Sequence, residues 1–165
     1  MKNLSKKLFI SAIALAPLFA TAETITSTAS ISLVEPIIIS PTGSMAFGQV
    51  FKSSTSGTVI ADKDGNLTGT LTRNSNLGSP ATFEITANPA NQVNVSFSDN
   101  GNETGIAFSN FTSSFPETGD NFTDAFTTTV TDGFQELAVG ATLTVDSSAL
   151  TGTRSPSFDM VINYQ

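Results

Sequence analysis

The chain has 165 residues, with 7 Lys+Arg, 14 Asp+Glu and neither His, Cys nor Trp. Without His or Cys there is no Ser-His-Asp triad, no thiol nucleophile, and no metal centre built on thiolate or imidazole. Seven basic residues make a nucleic-acid footprint implausible, which leaves an acidic, Ser/Thr-rich chain long enough for one domain.

Residues 1–22 read as a secretory signal peptide. Lys2, Lys6 and Lys7 form a positive head, and Leu8 to Ala20 is a short apolar stretch broken by Ser11 and Pro17. Ala20-Thr21-Ala22 supplies a small-x-small cleavage site. The stretch falls short of the roughly 20 apolar residues that span a bilayer, so removal rather than membrane insertion is expected. The expected route is export through the inner membrane to the periplasm, and from there to the cell surface. The mature chain would start at Glu23 and keep only Lys52, Lys63, Arg73 and Arg154. Four basic residues against 14 carboxylates leave a net charge of −10, which favours solubility and repels anionic lipid and nucleic acid. A domain of about 150 residues buries roughly 68–70% of its unfolded surface, which is enough to dispense with disulfide staples.

In chain order, every strong periodicity is two. Over 24–34, Ile25, Ala29, Ile31 and Leu33 share one face with Ser27, while Thr24, Thr26, Thr28, Ser30 and Ser32 share the other, which predicts a half-buried strand. Gly57–Ala61 and Leu67–Thr72 flank Asp64-Gly65. Ala81, Phe83, Ile85 and Ala87 alternate, as do Val93, Val95 and Phe97, after which Asn100-Gly101 leads to Gly105–Phe108. Both dipeptides predict type I′ hairpin turns. Pro36, Pro41, Pro80 and Pro89 are expected at strand ends or edges. Phe108, Phe111, Phe115, Phe122 and Phe126 have heptad-like separations, but Ser113, Ser114, Pro116 and Gly119 disfavour a helix. A core-filling crossover is expected there, with at most a single turn from Asp120. Leu143 and Val145 alternate next, and the last strand carries Phe158, Met160, Ile162 and Tyr164. Many short strands with regular turn signals predict an all-β, immunoglobulin-like antiparallel β-sandwich of about seven to nine strands over 35–165.

The inventory offers little chemistry. Asp62-Lys63-Asp64-Gly65-Asn66 has the look of a calcium loop, yet Leu67 stands where the EF-hand pattern needs Gly and Arg73 where it needs Glu. A hairpin turn explains it better; a looser site would need carboxylates such as Asp120 and Asp124. No pair of carboxylates is marked as neighbours in a cleft, so no catalytic, cofactor or metal site is expected and the chain does not read as an enzyme. Asn-x-Ser/Thr triplets at Asn66, Asn94, Asn102, Asn110 and Asn121 follow from the abundance of Ser and Thr.

The two ends carry a resemblance. Tyr164, Ile162, Met160 and Phe158 stand second, fourth, sixth and eighth from the C-terminus, and Gly152 fourteenth. This resembles the final strand of chaperone–usher pilus subunits, which is read by a periplasmic chaperone. The segment 23–34 resembles their N-terminal donor strand, which fills the incomplete sandwich of the next subunit. That likeness implies Ile25, Ala29, Ile31 and Leu33 as donor plugs. It implies an acceptor groove lined by Gly152, Phe158, Met160, Ile162 and Tyr164, with a periplasmic chaperone and an outer-membrane usher as partners. A second resemblance covers more of the chain: Pro36-Ile37-Ile38, Met45-Ala46-Phe47-Gly48, Ala81-Thr82-Phe83, Leu137–Val145 and the closing Val161–Gln165 are similar to the secreted bacterial domain-of-unknown-function family 4402. This one implies an exported immunoglobulin-like sandwich and supplies no activity. The expected function is an exported, pilin-like structural subunit of a bacterial surface fibre, self-associating by donor-strand exchange, with a role in adhesion. The alternative is a monomeric secreted sandwich that binds a surface ligand through its loops.

Overall fold

The computed structural model describes residues 24–115, 120–131 and 133–165. The signal-peptide reading lies outside them. The chain divides into two units, one ending at Ser32 and the other comprising Leu33–Gln165.

In the first unit, residues 24–32 are exposed and form no strand. The half-buried strand expected over 24–34 is therefore not formed. Alternation supplies a strand's two faces, but a strand also needs a neighbour to satisfy its backbone groups, and 24–34 has no β partner.

Among its described residues the second unit holds ten strands: β1 (Ile38–Gly43), β2 (Gly57–Ala61), β3 (Leu67–Gly69), β4 (Ala81–Thr86), β5 (Gln92–Asp99), β6 (Ile106–Phe115), β7 (Asp120–Thr123), β8 (Phe126–Thr129), β9 (Phe134–Val145) and β10 (Phe158–Tyr164). All pair antiparallel, in a seven-stranded and a three-stranded sheet, so the fold is an all-β sandwich. The count exceeds seven to nine because the phenylalanine-rich stretch, expected as a crossover, supplies strands of its own. The turn expected at Asp120 is strand β7, held to β6 through Thr112↔Thr123 and Phe115↔Asp120.

Strand β9 organises the larger sheet. Its first half pairs β4 and its second half β2 along one edge, while β6 takes the other. The change of partner falls at Gly140, between Val139↔Ala81 and Ala141↔Ala61. A Cβ at Gly140 would run into the Ala61 carbonyl and the Asp62–Lys63 backbone, so the close approach there requires glycine. Leu137, Val139, Ala141 and Leu143 send one face of β9 into the core, with Ile85, Phe108, Phe111, Phe115, Val93, Val95 and Ile162. A smaller cluster of Val59, Ala61, Leu67 and Leu71 seals the β2–β3 hairpin.

The three-stranded sheet runs β10-β5-β8. The expected hairpin at Asn100-Gly101 is corrected here. Both edges of β5 are taken by β10 and β8, so the chain leaves Asp99 for the opposite sheet and β6 pairs with β9 instead. Gly101 does take the positive φ (67°) that the dipeptide suggests, but in a sheet-to-sheet crossing. At Asp64-Gly65 the expected hairpin forms, with β2 on β3, but not through a type I′ turn: Ala61 pairs with Leu67 across the longer loop Asp62–Asn66, in which Gly65 alone takes a positive φ (84°).

Candidate functional site: an open strand edge

The two sheets differ in width. Across β9 the larger sheet lays out β1, β4, β9, β6 and β7, while the smaller sheet facing it has β10, β5 and β8. On one side β10 lies close to the β1–β4 flank. The Tyr164 hydroxyl reaches the Glu35 carbonyl at 2.7 Å, and the rings of Phe83 and Phe158 meet edge-on at 6.3 Å. Among the described residues no strand pairs the outer edge of β10.

The register shows which backbone groups that edge presents. Gln165 N–H donates to the Gln92 carbonyl at 3.0 Å, and Asn100 N–H donates to the Ser157 carbonyl at 3.2 Å. Those contacts bracket a ladder in which Phe158↔Asp99 and Tyr164↔Val93. In an antiparallel pair, hydrogen-bonded and non-bonded positions alternate. Asp159, Val161 and Asn163 therefore bond to β5, and the backbone N–H and C=O of Phe158, Met160, Ile162 and Tyr164 point to the unpaired side. These same four residues turn their side chains inward. Ile162 is buried, while Phe158, Met160 and Tyr164 are half-buried against the core. An added strand would complete a hydrogen-bond ladder and cover apolar surface in one step.

Natural sheets blunt exposed edges with proline, inward charge or bulges. β1 carries Pro41 and a register break between Pro41 and Gly43. β10 has no proline, and its one charge, Asp159, is exposed and accepts a hydrogen bond from the Asn100 amide at 3.3 Å. The edge of β10 is thus left able to pair. Its inner side is held by aromatic packing: Phe158 meets Phe108 at 5.5 Å and Phe111 at 5.3 Å, and Phe111 stacks on Phe97 at 5.3 Å.

The residues expected from the sequence fall in three places. Phe158, Met160, Ile162 and Tyr164 share β10, as the alternation predicts. Gly152 stands apart in the exposed loop before β10, at φ 110° and with nothing within 4 Å of a Cβ position. Ile25, Ile31 and Leu33 are 85%, 82% and 83% exposed, and Ala29 is exposed as well. Sequence reasoning missed Glu35 and Asn88. The Tyr164 hydroxyl donates to the Glu35 carbonyl and accepts from the Asn88 N–H, each at 2.7 Å. Both contacts use main-chain atoms, so no side-chain pattern could have revealed them.

The resemblance to a calcium loop resolves into a turn. Asp62 Oδ1 accepts from the backbone N–H of Asp64 (2.9 Å) and of Asn66 (2.8 Å), and Oδ2 accepts from the Asn66 amide at 3.0 Å. Burial pulls the Asp62 carboxyl upward. The Asn66 side chain, the Asn66 and Asp64 backbone and the Lys63 charge outweigh it and hold the carboxyl below its usual range. Asp124 likewise serves the backbone, accepting from Phe111 N–H at 3.0 Å beside the bulge at Asn110 (φ 47°). A shallow hollow of about 330 Å3 lies between the Phe51–Gly57 loop and Thr70–Thr72, lined mainly by hydroxyls.

A family model described as a domain of unknown function (DUF4402) matches residues 37–164, a span that runs from just before β1 to the end of β10. No curated protein and no solved structure matches the chain.

Proposed function

This chain belongs to the DUF4402 family, and from its open β10 edge we propose that it is an exported structural subunit of a bacterial surface fibre. Subunits join when residues 23–34 of one copy pair with β10 of the next. In this reading Ile25, Ala29, Ile31 and Leu33 are the inserted side chains, and Phe158, Met160, Ile162 and Tyr164 form one wall of the receiving groove. The reading assigns no catalytic role. It expects export past the inner membrane, a periplasmic chaperone that shields the edge, an outer-membrane usher, and a part in adhesion.

The observation that carries it is the unpaired, unblunted edge of β10, whose outward backbone groups belong to Ile162 and to the half-buried Phe158, Met160 and Tyr164. The exposed Ile25, Ile31 and Leu33 support it from the other end. Burying a large aliphatic side chain contributes about 1.5–3 kcal/mol, so three such plugs and a main-chain ladder suffice for slow dissociation. The rival reading, a solitary sandwich that binds a ligand through its loops, draws on the hydroxyl-lined hollow at Phe51–Thr72.

Unheated detergent gels test the reading. The wild-type chain should run as a ladder that heating collapses to one band. The double substitution Ile31→Asp and Leu33→Asp should remove the ladder while leaving the sandwich folded by circular dichroism. A wild-type chain that stays a single compact species at high concentration would overturn the proposal and favour the loop-binding monomer.

A further inference from the structure

We infer that the Tyr164 phenol couples the β10 edge to the departing N-terminal segment of the same subunit, so that a strand docking on that edge stiffens the point from which the subunit's own donor segment leaves. The inference rests on the reading above and adds a regulatory link between the two ends of one subunit.

One hydroxyl ties three separate parts of the chain. It donates to the Glu35 carbonyl, just before β1, and accepts from the N–H of Asn88, in the β4–β5 connection, while its own backbone closes β10. Glu35 precedes Pro36, and the residue before a proline is confined to extended backbone. The backbone at Glu35 is therefore held by a stiff dipeptide and one hydrogen bond. A phenylalanine would pack the same ring into the core; only the hydroxyl reaches Glu35 and Asn88.

Tyr164 is also the end residue of an edge strand. With β5 on one side alone, that end opens more readily than the strand's middle. The outward N–H and C=O of Tyr164 are among the groups an incoming strand would bond. Pairing there orders the end of β10, and the ring follows the backbone because it has only two side-chain torsions. A bound strand thus holds the hydroxyl on Glu35 and Asn88. Ordering that one ligand has already achieved need not be repeated for the next, which makes successive additions cooperative.

Amide hydrogen exchange on the monomeric fraction of the full chain, with and without a synthetic peptide of residues 23–34, tests this. Binding is followed separately by anisotropy of the labelled peptide. The reporter is the Asn88 amide, and the control is the Ala87 amide, which donates to the Gly133 carbonyl and not to Tyr164. The peptide should slow Asn88 exchange about fivefold or more beyond any change at Ala87, the lower end of typical site-to-site coupling. Compared at peptide concentrations that saturate each chain by anisotropy, Tyr164→Phe should lose the selective slowing that the wild type shows. If the peptide binds the wild-type chain and Asn88 tracks Ala87, the coupling is refuted while strand docking stands. If Tyr164→Phe slows Asn88 as the wild type does, the hydroxyl is not the link. Failure of the wild-type chain to bind the peptide overturns the docking reading and this inference together. Should Tyr164→Phe not fold, the wild-type comparison of Asn88 with Ala87 still decides.

Discussion

Asp62 shows how a single side chain can set a turn. Its carboxylate gathers the N–H groups of Asp64 and Asn66 and the Asn66 amide, so that the chain reverses over Gly65 and β2 meets β3. These bonds hold the Asp62 carboxyl below its usual range even though burial alone would raise it. A carboxyl lowered in the folded state stabilises the fold above its unfolded value, about 3.9, and that contribution fades as pH falls through the folded value. Asp146 is lowered in the same sense, first by the Ser148 hydroxyl and backbone, and adds to the same acid limb. Urea midpoints measured at about pH 6 and about pH 3 should therefore drop for the wild type, and drop less for Asp62→Ala. The Asp-Gly turn was legible in the sequence because the residues that make it are adjacent. The role of Arg73 was not. Its guanidinium donates to the carbonyls of Thr68 and Leu71, each at 3.0 Å, an arrangement that depends on where the β3 backbone happens to pass.

Among the elements, β9 and β10 carry opposite lessons. The alternation of Phe158, Met160, Ile162 and Tyr164 was readable as an inward face because period two survives whatever a strand pairs with. Which strand it pairs with was not readable. Asn100-Gly101 looked like a hairpin turn, yet β5 is saturated by β10 and β8, and the chain crosses to the other sheet. A dipeptide reports local backbone geometry, whereas sheet membership is decided by the competition of whole strands for edges. The same reasoning explains residues 24–34, whose pattern is that of a strand and whose backbone has no β partner. Gly140 tests how β9 divides its edge between β4 and β2. Gly140→Ala places a methyl against the Ala61 carbonyl and the Asp62–Lys63 backbone, neither of which is a flexible side-chain end. Overpacking of this kind costs about 1–3 kcal/mol, and chemical denaturation should show the loss together with faster exchange at the β2–β9 amides.

For the molecule as a whole, the unequal seven- and three-stranded sheets and the charge act in opposite directions. The uneven sheets leave an edge on which a partner strand is proposed to dock, while a chain with 14 carboxylates against 7 basic residues repels its own copies. Several of those basic groups are already engaged. Lys52 donates to the Ala149 carbonyl at 2.6 Å, Lys63 pairs with Asp64 at 3.0 Å, and Arg154 faces Glu103 at 3.8 Å. In the proposed fibre, long-range repulsion should slow the meeting of subunits more than it weakens a formed joint. Raising ionic strength from about 0.01 M to about 0.1 M shortens the screening length from about 30 Å to about 10 Å. Light scattering should accordingly show faster assembly at the higher salt, whereas attraction between charged loops would give the reverse. The sandwich class was legible because composition and period two act along the entire chain; the open edge was not, since it depends on which strand ends the row.

The place of β10 in the chain order has a further consequence. It is the last of the ten strands among the described residues, yet it flanks β5 and supplies Ile162 to the interior. During synthesis β5 can pair with β8, but its other edge must wait open until residues 158–164 have been made. Closure of the smaller sheet is thereby postponed to the end of that strand, and the interior that Ile162 completes stays unsealed until then.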